Sequence, residues 1–338
     1  MIAPPLQGLG WSRFFAEQLT SADVGLVPVR IAAVHRSRLM AETGTGQVRL
    51  DPPTHATTTD FAVGDWVLTE PAGQTAVRRL ERRTLLLRRT ESAQVRQLIA
   101  ANVDTMFIVT SCNDDFNVAR LERYLTLVNE AGINAVIVLT KIDQVDEPGV
   151  YRAQAEVLQR ELPVVALNAR APDAADRLAP WCGPGQTVAL VGSSGVGKST
   201  LLNTLADKAP AESQLTGDIR ECDAKGRHTT TSRSLHAIAG GACVIDTPGM
   251  RTLHVSDVGA GLDTLYAEIT ELAPKCRFRD CTHAHEPGCA VQAAVTAGDL
   301  SAARLDRWRK LLAENRANTP VQSGPRGNKT PAPRGRRR

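Results

Sequence analysis

The stretch "LVGSSGVGKST", residues 190–200, constrains the fold of this chain more than any other. An apolar run, "TVALV", enters Gly192-x4-Gly197-Lys198-Ser199, and "KSTLLNTLA" then opens a helix. Strand, glycine loop and helix start in that order make a phosphate cradle. The glycines let backbone N–H groups turn inward around a β-phosphate, and the helix N-terminus adds partial positive charge. Gly192, Ser193, Ser194, Gly195, Val196 and Gly197 are read as the loop, and Thr200 follows in the helix. Lys198 is expected to reach the β- and γ-phosphates, and Ser199 to place its hydroxyl on Mg²⁺. This motif alone does not choose between ATP and GTP.

The surrounding sequence alternates strand and helix from about residue 100. "VDTMFIVTS", "NAVIVLT", "PVVALN", "SLHAIAG" and "GACVIDTPG" read as strands, and "NVARLERYLTLVNEAG" and "VYRAQAEVLQREL" as helices. Such alternation implies a parallel or mixed sheet covered on both faces. In "CVIDTPGMR", Asp246 ends a strand 47 residues after Ser199 and is expected to hold Mg²⁺ through water. The Gly249 amide is expected to bond the γ-phosphate, which makes this segment a nucleotide-sensing switch. In the loop "AKGRHTTTSR", Thr230 is the favoured further Mg²⁺ ligand and Thr229 the alternative.

The base is read from "AVIVLTKID", residues 135–143. The Asp143 carboxylate can accept hydrogen bonds from guanine N1–H and the N2 amine, a donor pair that adenine lacks. Lys141, followed by Ile142, would lay its methylenes along the base. Thr140 stands where this motif usually has Asn, so base contact and the tie to the phosphate loop are both expected to be weaker. Asn168 and Ala169, in "ALNAR" after the next strand, would offer backbone N–H groups to the guanine oxygen. Base loop, second base loop, phosphate loop, threonine loop and DTPG then run in a rotated order. Rotation is physically acceptable, because a sheet needs its strands adjacent in space and domain termini usually lie near each other.

Five segments follow from composition and texture. Residues 1–27 form an N-terminal extension with a short amphipathic helix around residues 11–19, and 28–90 read as a small antiparallel β-barrel of OB-fold type. Its exit, "RRLERRTLLLRR", suits RNA contact. Residues 95–255 form the α/β P-loop domain, 256–316 an α-helical metal-binding domain, and 317–338 a basic tail. The formal net charge is +4, yet seven Lys/Arg and no acidic residue lie from Arg316 onward; elsewhere 33 basic residues face 36 acidic ones. The tail's Pro, Gly and Arg content predicts disorder and contact with nucleic acid. Cys276, Cys281 and Cys289 crowd with His283 into 14 residues, whereas Cys112, Cys182, Cys222 and Cys243 are scattered. Three thiolates and an imidazole make a closed tetrahedral site for one structural Zn²⁺, with His285 as the rival fourth ligand. The start of the chain lacks a basic, apolar signal segment, and no apolar run approaches ~18 residues, so a cytoplasmic protein with no membrane partner is expected. A monomer is the default.

These motifs together resemble the RsgA (YjeQ) family of small ribosomal subunit biogenesis GTPases. The resemblance spans almost the whole chain and rests on "AANVDTMFIV", "TKID", "GSSGVGKST", "KGRHTTT", "DTPGMR" and "CRFRDCTHAHEPGC". It implies a multidomain fold of N-terminal OB barrel, circularly permuted GTPase domain and C-terminal zinc domain. It also implies GTP hydrolysis to GDP and phosphate, stimulated by the small (30S) ribosomal subunit and its 16S rRNA, in late subunit maturation. The family's zinc ligands fall on Cys276, Cys281, His283 and Cys289. Where many GTPases orient water with Gln after the DTPG glycine, this chain has Met250, which cannot. His228 is the candidate to supply the missing polar group. Because the DTPG switch runs straight into the zinc module, nucleotide state is expected to reposition that module. The alternative reading is a P-loop ATPase or kinase carrying a nucleic-acid-binding barrel.

Overall fold

A computed structural model describes residues 4–90, 93–206, 233–247 and 255–319. His228, Thr229, Thr230, Gly249, Met250 and the tail beyond Thr319 lie outside the described residues. Two short helices, α1 (Pro4–Gly8) and α2 (Arg13–Ala16), precede β1 (Val27–Val34), β2 (Leu39–Glu42), β3 (Gln47–Leu50), β4 (Trp66–Thr69) and β5 (Ala76–Arg79). These strands pair antiparallel in the order β3-β2-β1-β4-β5, and a parallel bridge between Asp51 and Thr75 joins the two outer strands. Val29, Ile31, Leu39, Ala41, Leu50, Phe61, Val67 and Ala76 form their own small core.

The arginine-rich exit does not continue that unit. Instead β6 (Leu85–Thr90) pairs with β7 (Ala93–Ala101) in a separate two-stranded hairpin. The expected division at residues 90–95 therefore falls inside one hairpin.

The main sheet has the order β10-β9-β8-β11-β13-β12. Its strands are β8 (Thr105–Ser111), β9 (Asn134–Thr140), β10 (Val164–Ala166), β11 (Thr187–Val191), β12 (Ser234–Ile238) and β13 (Ala242–Asp246). All are parallel except β12, which runs antiparallel to β13 and touches β1 through an Ala33–Ser234 bridge. Every residue of β8, and all but the first two of β9, are buried. That is the near-continuous apolar texture of a sheet covered on both sides. Phe107, Val109, Val136 and Val138 face one core with α5 (Ala174–Leu178) and α6 (Lys198–Ala206). Met106, Ile108, Ile137 and Leu139 face the other, with α3 (Val118–Glu130) and α4 (Pro148–Glu156).

The C-terminal helices are α7 (Gly259–Leu265), α8 (Ala267–Leu272), α9 (Ala290–Ala297) and α10 (Ala302–Asn318). Their apolar residues join the second core, so they pack over α3 rather than standing apart. Gly261 makes the α3–α7 approach possible, since a Cβ there would lie 2.1 Å from the Thr126 carbonyl oxygen. No helix among the described residues is long and apolar enough to cross a membrane.

Candidate nucleotide site and metal centre

Parallel pairing brings the C-terminal ends of β8, β9, β10, β11 and β13 to one edge of the sheet. Thr140 ends β9, Ala166 ends β10 in register with Leu139, and Asp246 ends β13 in register with Leu190 of β11. TKID, the Asn168–Ala169 loop, the phosphate loop and Asp246 thus all leave the sheet on the same side, although the chain visits them in rotated order.

The phosphate loop has the backbone its glycines permit. Gly192, Gly195 and Gly197 have φ of +145°, +81° and +96°. A Cβ on Gly192 would lie 2.1 Å from the Val109 carbonyl oxygen, so no side chain fits there. Val196 is buried in the core and anchors the middle of the loop. Lys198 Nζ donates to the carbonyls of Gly192 at 2.9 Å and Ser193 at 2.6 Å. Its ammonium is held against the loop at the start of α6, with Ser199 and Thr200 beside it in the first turn.

Thr140 is fully buried, and its Oγ1 donates to the Val196 carbonyl at 2.6 Å and reaches the Thr110 carbonyl at 3.3 Å. The hydroxyl therefore ties the end of β9 directly to the phosphate loop. Thr140→Val keeps the shape and removes the donor, leaving a buried carbonyl unsatisfied at a cost of about 1–3 kcal/mol. Labelled-GDP titration should show affinity falling about tenfold, the size such a loss predicts; unchanged affinity would show that the tie is dispensable.

Lys141 adopts a left-handed backbone, φ +57° and ψ 32°, which turns the chain into a single 3₁₀ turn at Ile142–Gln144. Asp143 lies exposed in that turn. Asn168 Oδ1 accepts from the Arg170 amide at 2.9 Å, an Asx turn that shapes the loop after β10. The Thr204 hydroxyl of α6 donates to the Ala169 carbonyl at 2.7 Å and fixes that loop to the helix behind the phosphate site. One contact had no signal in the sequence: Arg120, in the first turn of α3, donates through Nη1 to Ser193 Oγ of the phosphate loop.

The thiol and imidazole cluster is separate and belongs to the C-terminal helices. The ligand atoms of Cys276, Cys281, His283 and Cys289 all lie within 4.8 Å of one another. Cys276 Sγ and Cys289 Sγ are 3.9 Å apart, and each is 3.5 Å from His283 Nδ1. Zn–S bonds of about 2.3 Å and Zn–N bonds of about 2.0 Å at tetrahedral angles require edges of about 3.8 and 3.5 Å. The four side chains therefore fit one tetrahedral zinc ion. His285 is exposed and outside the cluster. His283 has φ +59°, and its carbonyl is held by Gln292 Nε2 at 2.5 Å and by Arg309 Nη2. Cys289 caps α9, its sulfur accepting from the Gln292 amide at 3.4 Å.

Sheet order, rotated motif order and phosphate loop define a circularly permuted P-loop GTPase fold. Solved structures agree: YloQ, a circularly permuted GTPase, superposes with a TM-score of 0.60 at 24% identity, covering 90% of this chain and 99% of that one. YjeQ from Thermotoga maritima does so with a TM-score of 0.62 at 24% identity, covering 86% and 98%. The family model for the RsgA GTPase matches residues 79–256. The small ribosomal subunit biogenesis GTPase RsgA of Mesorhizobium japonicum is 66% identical over 99% of this chain and 97% of its own length. RsgA 2 of Vibrio vulnificus is 49% identical over 93% of this chain and 88% of its own. The chain belongs to the RsgA GTPase family.

Proposed function

We propose that this chain hydrolyses GTP to GDP and phosphate on the small (30S) ribosomal subunit and acts late in that subunit's maturation. The observation that carries the reading is the 66% identity, over nearly the whole chain, to a protein named for small-subunit biogenesis. Asp143 selects guanine, supported by Lys141 and Ile142 in the same turn and by Asn168 and Ala169 on the adjacent loop. Residues 192–200 hold the phosphates. Ser199, Asp246 and Thr230 complete a Mg²⁺ shell, the Gly249 amide senses the γ-phosphate, and His228 supplies the polar group that Met250 cannot.

The first five strands act as an OB-type barrel. Their pairing order and the Asp51–Thr75 bridge support that assignment, and the basic β6–β7 hairpin and tail add to the surface offered to 16S rRNA. The Cys276–Cys281–His283–Cys289 set holds one structural Zn²⁺, because four protein ligands leave no position for water. The protein works as a cytoplasmic monomer.

The test is GTP turnover with and without purified small subunits, with ATP as competitor for labelled GDP. Stimulation of at least about tenfold is expected, in the direction partner-assisted GTPases show, and excess ATP should not displace GDP. Turnover indifferent to subunits would remove the ribosomal role, and displacement by ATP would remove the guanine assignment.

A further inference from the structure

We propose that Arg120 is a positioning residue of the GTPase reaction, holding the first turn of the phosphate loop through the Ser193 hydroxyl. The inference rests on the reading of residues 192–199 as the GTP phosphate site. Arg120 is placed by its own helix start: the Asn117 side chain caps α3, its Oδ1 accepting from the Arg120 amide at 2.9 Å. From there Arg120 Nη1 donates to Ser193 Oγ, while the Ser193 carbonyl accepts from Lys198 Nζ at 2.6 Å. One loop residue is thus gripped by its side chain from α3 and by its main chain from the phosphate-binding lysine.

Thr140 holds the loop a second time, at Val196. The two ties bracket residues 193–196: one comes from the helix that follows β8, the other from the last residue of the adjacent strand β9. A loop whose glycines carry positive φ has much freedom to lose, and outside ties fix the direction of its N–H groups before GTP arrives. Donors fixed in advance stabilise the charge that develops on phosphoryl oxygens without reorganising.

The helix that presents Arg120 is itself anchored. Two residues on, Glu122 is fully buried and accepts from Arg304 at 2.8 Å and Arg307 at 2.8 Å, both on α10. At the far end of α3, Glu130 Oε2 accepts from the Gly261 amide at 2.8 Å. The C-terminal helices therefore set the position of α3, and α3 sets Arg120.

The test compares full-length wild type, Arg120→Leu, Arg120→Lys, Ser193→Ala and the Arg120→Leu/Ser193→Ala double variant. Intrinsic and subunit-stimulated GTP turnover, labelled-GDP affinity and Tm are measured for each. Arg120→Leu should lower kcat about tenfold while GDP affinity stays within about twofold, because preorganised donors act mainly in the transition state. Arg120→Lys should restore most of the rate, since a single N–H donor reaches a hydroxyl. Ser193→Ala reads the same contact from the loop side if Arg120→Leu folds poorly, and the double variant should be no slower than the worse single one. Wild-type kcat in Arg120→Leu, or losses that multiply in the double variant, would overturn the proposal. Failure of the wild type to bind labelled GDP would instead overturn the nucleotide-site reading beneath it.

Discussion

Replacing Cys289 by serine should empty the zinc centre and unfold the segment that depends on it. Metal content is expected to fall from about one equivalent to near zero, because structural zinc sites need their full thiolate set. Serine is the informative choice. Cys289 both belongs to the Cys/His cluster and caps α9, and serine remains a good N-cap, so loss of the helix start cannot account for the result. Apparent zinc affinities of about 10–16 kcal/mol in small modules measure what the chain there forfeits. Residues 276–289 contain no helix, and four of them converge on one point. Hydrogen exchange should show amides of residues 276–297 losing protection, while those of β8, β9 and β11 keep theirs. His285→Ala, which touches no ligand, should retain the full zinc equivalent. Retention of zinc by Cys289→Ser, or its loss from His285→Ala, would show that the fourth ligand has been wrongly assigned.

Features set by local chemistry are legible in the sequence. Glycine spacing, the apolar strand before it and the helix after it give the phosphate loop, because each residue's reason lies within ten positions of it. The rotated order followed once four short motifs were each attached to a strand end. The Cys/His spacing announced a metal but left His283 and His285 as rivals, and the clustering of ligand atoms, which takes in His283 and leaves His285 outside, separates them. What the sequence hid is burial of charge. Arg30 sits in an alternating strand and reads as solvated, yet it is 1% exposed. It bonds the carbonyls of Leu9, Gly64 and Asn102, one each from the N-terminal segment, the first β-unit and the entry to the main sheet. Arg304, in "SAARLDRWRKLLAENRA", looks like one basic residue of a polar helix, and its partner Glu122 lies 182 positions away. Local pattern cannot reveal a partner at that separation. The same holds for Arg120 and Ser193, 73 positions apart.

Arg304→Met is expected to loosen the C-terminal helices from α3 and to cost about 3–5 kcal/mol, the range for removing one member of a buried ion pair. Arg304 donates to Glu122 at 2.8 Å, to Glu268 at 2.8 Å, and to the Leu158 and Leu265 carbonyls at 2.7 and 2.8 Å. Its guanidinium also lies 4.2 Å from the centroid of Tyr266. Methionine fills the volume but leaves a fully buried carboxylate with one arginine where it had two. In a unit of this size the melting temperature should drop by about 10 °C. Arg307→Met should cost only about 1 kcal/mol, because Arg307 is partly exposed and Glu122 keeps Arg304. Adding Glu122→Leu to Arg304→Met should recover part of the loss, since an apolar pair avoids the uncompensated charge. A double variant less stable than Arg304→Met would mean that Arg304 acts through its two carbonyl bonds rather than through Glu122. The same contacts set how residues 255–257 join the C-terminal helices. Where the described chain resumes after the DTPG segment, it is pinned to the end of α10: the Asp257 amide donates to Thr319 Oγ1 at 2.8 Å and Ser256 Oγ to the Asn318 carbonyl at 3.0 Å. Glu122 fixes the other side of the same helix to α3. On the proposed switch role of the DTPG segment, helices held at both places follow α3 and residues 255–257 together, so Arg304→Met should uncouple them. Subunit-stimulated GTP turnover should then fall further than intrinsic turnover, and equal losses in the two would show that the ion pair stabilises the fold without carrying the signal.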